Sequence, residues 1–419
     1  MAGQLVGAID QGTTSTRFLV VDAEGQVVSA HQVPHTQYQP RPGWLEHDPL
    51  EVWEQTVLAM RTALRRAGLR GRDLAAVGLA NQRETVLAWD RRTGRPYHRA
   101  IVWADTRTEP MVAALLREGA VADRLTEVTG LRPSSYFSAF TIRWLLEHVP
   151  AFAAGVGTGD AVVGTMDSWL AWQLTGGRDG GVTVTDVTNA SRTLLLGLAS
   201  GAWEPELFAL LGLPVTLRDG VLPEVHASVP GEPFGWTRPD GPLGAAVPVT
   251  AILGDQQAAL VGQACFAPGS VKSTYGTGSF LLGVTGLTPV RSRHGLLSTV
   301  ARQVGDGPLH YALEGSIPAT GAAVAWLRDQ LGLIGTPDES EALAAGVPDS
   351  GGVYLVPAFS GLYAPYWRPD ARGVIVGLTR YATAAHLARA TLEAIGYQTR
   401  DVLEAMRVDL AAAGLTPDT

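Results

Sequence analysis

Two short runs carry most of the chemistry this sequence could do: Asp10-Gln11-Gly12-Thr13-Thr14-Ser15-Thr16-Arg17 and Ser273-Thr274-Tyr275-Gly276-Thr277-Gly278-Ser279. Val6, Ala8 and Ile9 precede the first and Phe18 to Val21 follow it, while Phe280 to Leu282 follow the second. Each run is therefore expected as a strand, a tight turn and a returning strand. Glycine lets backbone approach an anion closely, and turn amides and hydroxyls donate hydrogen bonds to it. Thr13 and Thr277 stand 264 positions apart. That pairing suggests two similar domains holding one polyphosphate between them, and makes the chain a candidate ATP-dependent phosphotransferase. Asp10 closes an apolar strand, where a carboxylate is costly unless water, a metal ion or a donor meets it. Mg²⁺ held through water beside phosphate meets that need, and Arg17 adds a cation. Capping of Asp10 by its own turn amides is the structural alternative.

Gly254-Asp255-Gln256-Gln257 follows a second apolar strand, where ligands of open α/β sheets usually bind. There Asp255 could accept a proton from a hydroxyl attacking phosphorus, with Gln256 as donor and acceptor beside it. Asp255 would serve equally as the N-cap of a helix beginning at Gln256. Gln82-Arg83-Glu84 also follows an apolar strand, and its donor and acceptor could bracket a small polyol or form an exposed ion pair. Trp103, Tyr136 and Phe280 are further candidates, as core aromatics or as faces for a sugar-like carbon backbone.

The elements that must position these residues follow from pattern. Asp48-Pro49-Leu50-Glu51 opens a helix, with Asp as N-cap and Pro at the first position. Trp53, Val57, Met60 and Leu64 share one face of it, and Gly68 ends it. Strands are expected over 74–80, 85–90, 101–104, 249–253, 271–275, 280–284 and 351–357. Helices are expected over 319–331 and 384–406. The order is that of a mixed α/β architecture. A Pro/Gly-rich stretch over 217–249 leads to an expected domain boundary, with residues 1–253 in one domain and 254–419 in the other.

With 419 residues, 46% hydrophobic and 17% charged, the chain has the composition of a folded protein of two domains. Its net charge of −8 argues against a general nucleic-acid or anionic-membrane surface. Arginine supplies the basic charge apart from one lysine, Lys272, and Cys265 is the sole cysteine, which fits a reducing compartment. The opening residues lack a signal-peptide pattern and no apolar run reaches membrane-spanning length. A soluble cytoplasmic protein, with no nucleic-acid partner and no membrane insertion, is the expectation.

Taken together these strings resemble the glycerol kinases within the FGGY carbohydrate kinases, a branch of the actin–Hsp70–hexokinase superfamily. The resemblance rests on DQGTTSTR at 10–17, GWLEHDP at 43–49, NQRET at 81–85 and IVWADTRT at 101–108. It continues through TDVTNASRT at 185–193, GDQQAALVGQ at 254–263, STYGTGSF at 273–280, PAFSGLYAPYW at 357–367 and ATLEAIGYQTRDVLEAM at 390–406. It implies two actin/hexokinase-like (ribonuclease H-like) α/β domains with a central cleft, and transfer of phosphate from ATP to glycerol with Mg²⁺. It also implies a homo-oligomer, a dimer or tetramer, in the full-length form. By motif, Asp255 would be the base. Arg83, Glu84, Tyr136, Asp255 and Gln256 would bind glycerol hydroxyls, with Trp103 and Phe280 as an apolar wall. Thr13, Thr14, Ser15, Arg17 and Thr277 would contact phosphates, Gly321 would lie against the nucleotide, and Asp10 would hold Mg²⁺ through water.

Thr141 and Ala325 stand where the family pattern has lysine and, often, an adenine-side glutamine. The family also continues past its last long helix into a strand and an Asp-Gly-Gly-Ala turn against adenosine, which residues 1–419 stop short of. The second domain is accordingly expected to be incomplete, and ATP turnover weak. Another FGGY sugar kinase, a non-catalytic glycerol- or nucleotide-binding fragment and an actin-like ATPase are the competing readings. The polyol segments at 81–85 and 254–257 argue against the last.

Overall fold

The computed structural model describes residues 4–416. The chain divides into two units. The first runs to Ala258 and takes in Thr299–His310; the second comprises Ala259–Ser298 and the chain from Tyr311 onward.

The first unit is built on a six-stranded mixed sheet. Its strand order is Gly235–Trp236, Pro248–Gly254, Leu74–Asn81, Leu5–Gln11 (β1), Ser15–Val21 (β2) and Val27–Pro34 (β3). β1, β2 and β3 are successive antiparallel neighbours, whereas Leu74–Asn81 runs parallel to both β1 and Pro248–Gly254. The register sets Gln11 beside Asn81 and Asn81 beside Gly254. Three adjacent parallel strands thus end level with one another, and each hands over there to a polar run, Gln11-Gly12, Gln82-Arg83-Glu84 or Asp255-Gln256. This is the edge of an α/β sheet at which ligands bind.

Alternation explains the strands. Along β1, Gly7, Ile9 and Gln11 are buried while their neighbours are less so, and β2 buries Phe18 and Val20. On one side of the sheet, helix Pro49–Arg66 (α1) packs Val52, Ala59, Met60 and Ala63 into a core shared with Ile9, Phe18, Leu79 and Ile252. α1 begins as the sequence implies. Asp48 accepts from the Leu50 amide at 2.9 Å, Pro49 fills the first position, and Arg65 and Arg66 lie in the last turn, toward the negative end of the helix dipole. Trp89, Trp169 and Trp172 make mutual ring contacts at 5.4–5.8 Å in the same core.

In the second unit, Val271–Tyr275, Ser279–Gly286 and the strand His310–Ile317, from Tyr311 onward, are successive antiparallel neighbours. Leu281, Leu313 and Ile317 from this sheet pack with Val402, Met406 and Leu410 from the long helix Ala384–Ala412.

Several element boundaries differ from the sequence expectation. The strand at 101–104 is only Ala100–Ile101, and that at 351–357 is only Tyr354–Val356. The helix at 319–331 is Gly321–Asp329, because the amides of Thr320, Gly321 and Ala322 bond back to the carbonyls of Gly276 and Thr277 at 2.9–3.0 Å. The last helix runs six residues beyond Met406, to Ala412. The Pro/Gly-rich stretch over 217–249, placed in the first domain by the sequence, contains structure of its own. It carries the edge strand Gly235–Trp236, whose partner is Pro248–Gly254.

Candidate active site

At the end of strand Leu74–Asn81 the chain turns sharply at Glu84, whose φ of 59° is unusual for a non-glycine residue. The Thr85 amide closes that turn on the Arg83 carbonyl at 2.7 Å, and the Ser138 hydroxyl donates to the Glu84 carbonyl at 3.0 Å. Held in this way, Arg83 and Glu84 leave the sheet in different directions. Arg83 is 2% exposed, and its Nε lies 3.5 Å from Asp255 Oδ1. Its Nη1 donates to Gln257 Oε1 at 3.2 Å and its Nη2 lies 3.5 Å from the Tyr136 hydroxyl. Passage of this side chain depends on Gly254, where a Cβ would meet Arg83 Cδ at 2.6 Å.

Asp255 is the first residue of helix Asp255–Gly262. Its Oδ1 accepts from the amide of the next residue, Gln256, at 2.7 Å, and its side chain stays 30% exposed. The helix begins at Asp255 itself rather than at Gln256, so the carboxylate is not its N-cap; one oxygen meets an amide and a guanidinium, and the group keeps access to solvent.

From Arg83 the contacts run on to the first glycine-rich turn. The Tyr136 and Trp103 rings meet edge to face at 5.6 Å, and Trp103 Nε1 donates to Thr13 Oγ1 at 2.9 Å. Trp103 is thus more than an apolar wall, because its ring N–H is spent on the turn. In that turn the Gly12 amide bonds to the Ser15 carbonyl at 2.9 Å. Among the described residues, no acceptor takes the N–H of Thr13 or Thr14. Ser15 Oγ and Arg17 Nη2 are tied together through the Gln32 amide, at 2.6 and 3.2 Å.

Asp10 faces Arg17 across the β1–β2 ladder. Burial pushes its carboxyl pKa up, and Arg17 pulls the other way. The capping alternative is not what the structure shows, because no described residue donates a hydrogen bond to the Asp10 carboxylate. A half-buried carboxylate suits a hydrated cation, whose water ligands would donate to it. Among the described residues, no group of three or more His, Cys, Asp or Glu side chains forms a metal cage, so any divalent ion here would take most of its ligands from water and phosphate.

The remaining expected residues lie in the second unit. Thr277 is exposed at the tip of the Gly276–Gly278 turn, and Gly276 N bonds to Gly278 O at 2.8 Å. Gly321 begins its helix directly beneath that turn, where a Cβ would meet the Gly276 carbonyl oxygen at 2.6 Å. Phe280 lies half-buried on the strand that leaves the turn.

One residue at this site was not found from sequence. Arg192, fully buried, donates from Nε to Glu84 Oε1 at 2.6 Å, and its guanidinium lies 5.7 Å from the Tyr136 ring and 5.4 Å from Phe137. The string TDVTNASRT at 185–193 contains it but gives no sign that it reaches a residue 108 positions earlier.

The geometry has a counterpart in sequence comparison. A model of the FGGY family of carbohydrate kinases, N-terminal domain, matches residues 5–262, and one of its C-terminal domain matches residues 271–415. The chain is 57% identical over 404 residues to glycerol kinase 1 of Streptomyces coelicolor, covering 96% of this chain and 79% of that protein. It is 55% identical over 408 residues to the glycerol kinase of Mycobacterium tuberculosis, covering 97% and 78% respectively. Among solved structures it superposes on Plasmodium falciparum glycerol kinase with ADP at a TM-score of 0.85 and 37% identity, covering 98% of this chain and 79% of that one. The xylulose kinase of Lactobacillus acidophilus shares the fold alone, with a TM-score of 0.79 at 20% identity. The two-domain actin/hexokinase-like α/β fold expected from the motifs is thus the fold found, and the chain belongs to the FGGY family of carbohydrate kinases.

Proposed function

We propose that this chain transfers the terminal phosphoryl group of ATP to glycerol, giving sn-glycerol 3-phosphate. The observation that carries the reading is the unbroken run of contacts from Asp255 through Arg83, Tyr136 and Trp103 to Thr13. A partly exposed carboxylate, buried polar side chains and a glycine-rich turn within the first unit support the reading. Similarity to proteins named glycerol kinase, at 55–58% identity, selects glycerol among the family's acceptors.

Each residue then has a task that its position allows. Asp255 takes the proton from the attacking hydroxyl onto a carboxylate oxygen, while Arg83 at 3.5 Å orients that carboxylate. Glu84, held by Arg192, accepts from a second hydroxyl, and Arg83, Tyr136 and Gln256 supply the remaining polar contacts. The Trp103 face and Phe280 cover the carbon backbone. Thr13, Thr14, Ser15, Arg17 and Thr277 bind phosphate oxygens, Gly321 lies against the nucleotide, and Asp10 would hold Mg²⁺ through water. When bound, the metal ion and these donors neutralise charge on the phosphates, which is most of what phosphoryl transfer asks of a protein.

A panel of glycerol, xylulose, ribulose, erythritol and gluconate, assayed by coupled ADP detection, tests the reading. The expected result is ADP release that depends on glycerol and exceeds that with every other acceptor. Preference for a pentulose or an aldonate would replace glycerol as the substrate, and ADP release independent of any acceptor would overturn the reading.

A further inference from the structure

The string GWLEHDP contains His47, to which neither the motif reading nor the mechanism gives a task. Its side chain is fully buried, 4.8 Å ring to ring from His35 in an edge-on contact. His47 Nε2 lies 2.9 Å from Gln37 Oε1, an atom that can only accept, so the ring donates there. Nδ1 is then left as an acceptor, and Gln82 Nε2 donates to it at 3.3 Å. Burial pushes the His47 pKa down to about 3, so the ring is neutral at physiological pH. A neutral ring of fixed tautomer dictates which way both glutamine amides face.

Both amides end on the first glycine-rich turn. Gln37 Nε2 donates to the Thr13 carbonyl at 2.9 Å, where His35 Nε2 also donates at 2.9 Å. Gln82 Nε2 reaches the Gly12 carbonyl at 3.2 Å, where Gln11 Nε2 donates at 2.8 Å. The His35 amide takes the Thr14 carbonyl at 3.2 Å. Three consecutive carbonyls are thus drawn inward. In a trans peptide the N–H points opposite to the C=O, so the next amides, those of Thr13 and Thr14 among them, face outward with no described acceptor. Successive outward amides form an anion-binding concavity.

We propose that His47, acting through Gln37 and Gln82, is a positioning residue for the nucleotide: it locks the glycine-rich turn so that its amides face a phosphate. The proposal rests on the reading of that turn as a phosphate site. It distinguishes His47 from a residue that merely fills the core, because its effect falls on nucleotide and spares glycerol.

The test is calorimetric titration of the purified chain with Mg-ATP and, separately, with glycerol, for wild type, His47→Phe, His47→Asn and Gln37→Met. His47→Phe keeps the ring volume and loses both hydrogen bonds. Its ATP affinity is expected to fall about tenfold, roughly 1.4 kcal/mol, while glycerol affinity stays within twofold. His47→Asn returns an acceptor to Gln82 and should recover part of the loss. Gln37→Met, at a half-buried site outside the sheet, should weaken ATP alone. Wild-type ATP affinity in His47→Phe, or equal weakening of ATP and glycerol in both His47→Phe and Gln37→Met, would overturn the proposal. Wild-type protein that binds no ATP would overturn it together with the phosphate-site reading. Wild-type protein that binds ATP yet phosphorylates no glycerol would sink the glycerol kinase reading alone, and His47→Phe would still decide the proposal.

Discussion

Arg192→Met isolates the buried pair behind the site. In the native protein Glu84 is 3% exposed, Arg192 is fully buried, and their closest atoms are 2.6 Å apart. Methionine preserves the apolar stem of arginine and removes the charge. Breaking a buried pair by deleting one partner typically costs about 3–5 kcal/mol, because the remaining charge is stranded. A loss of at least about 3 kcal/mol is expected here. In a unit of this size about 3 kcal/mol corresponds to a fall in Tm of roughly 6–12 °C. Adding Glu84→Gln to Arg192→Met removes the stranded charge and should return at least half of the lost stability. Activity should not return, because the carboxylate that receives a glycerol hydroxyl is gone. Differential scanning calorimetry gives the first quantity. The KM for glycerol, expected to rise about tenfold or more in the single variant, gives the second. If the double variant is no more stable than Arg192→Met, or if Arg192→Met binds glycerol as wild type does, the reasoning about this pair is wrong.

Three further outcomes follow from the geometry. Gly321→Ala puts a methyl 2.6 Å from the Gly276 carbonyl oxygen, a backbone contact that cannot swing away, so nucleotide affinity measured by calorimetry should drop at least tenfold with glycerol affinity intact. Asp10→Asn keeps shape and loses charge; half-maximal activity should then need several-fold more Mg²⁺, seen in a magnesium titration at saturating ATP. His47, held neutral with a pKa of about 3 against 6.5 when exposed, binds fewer protons folded than unfolded between those values. Its contribution to stability is therefore complete above pH 6.5 and lost as pH falls below it, by about 1.4 kcal/mol per unit. Asp167, buried with a pKa raised to about 6, acts in the opposite direction over part of that window. The clean reading is accordingly the difference between wild type and His47→Asn in urea unfolding at pH 7 and pH 5, where wild type should lose more than the variant.

Legibility from sequence followed the range of the interactions involved. Asp10, Arg83, Glu84 and Asp255 were readable because each stands where an apolar strand gives way to polar residues, a local signal. Their gathering needed only the parallel register of β1, Leu74–Asn81 and Pro248–Gly254. The capped start of α1 was readable for the same reason, being fixed by three consecutive residues. Arg192 and His47 were not, because their partners lie 108 and 35 positions away and are fixed by packing rather than pattern. Trp103 was found by type, yet its hydrogen bond to Thr13 crosses 90 positions and gives it a polar task that composition does not reveal. The pairing within the Pro/Gly-rich stretch over 217–249 was hidden for a related reason. Its punctuation marks turns, but Val249 pairs with Gly235 and ties the segment into the first sheet.

The claim beneath all of this is that the Asp255 carboxylate removes a proton from glycerol as its oxygen attacks ATP. Phosphorus NMR of the purified protein with ATP, Mg²⁺ and glycerol measures this directly. The account predicts that glycerol 3-phosphate accumulates with wild type, however slowly, and forms about 10²–10⁴ times more slowly with Asp255→Asn while calorimetry shows glycerol still bound. Equal rates in the two proteins would contradict it.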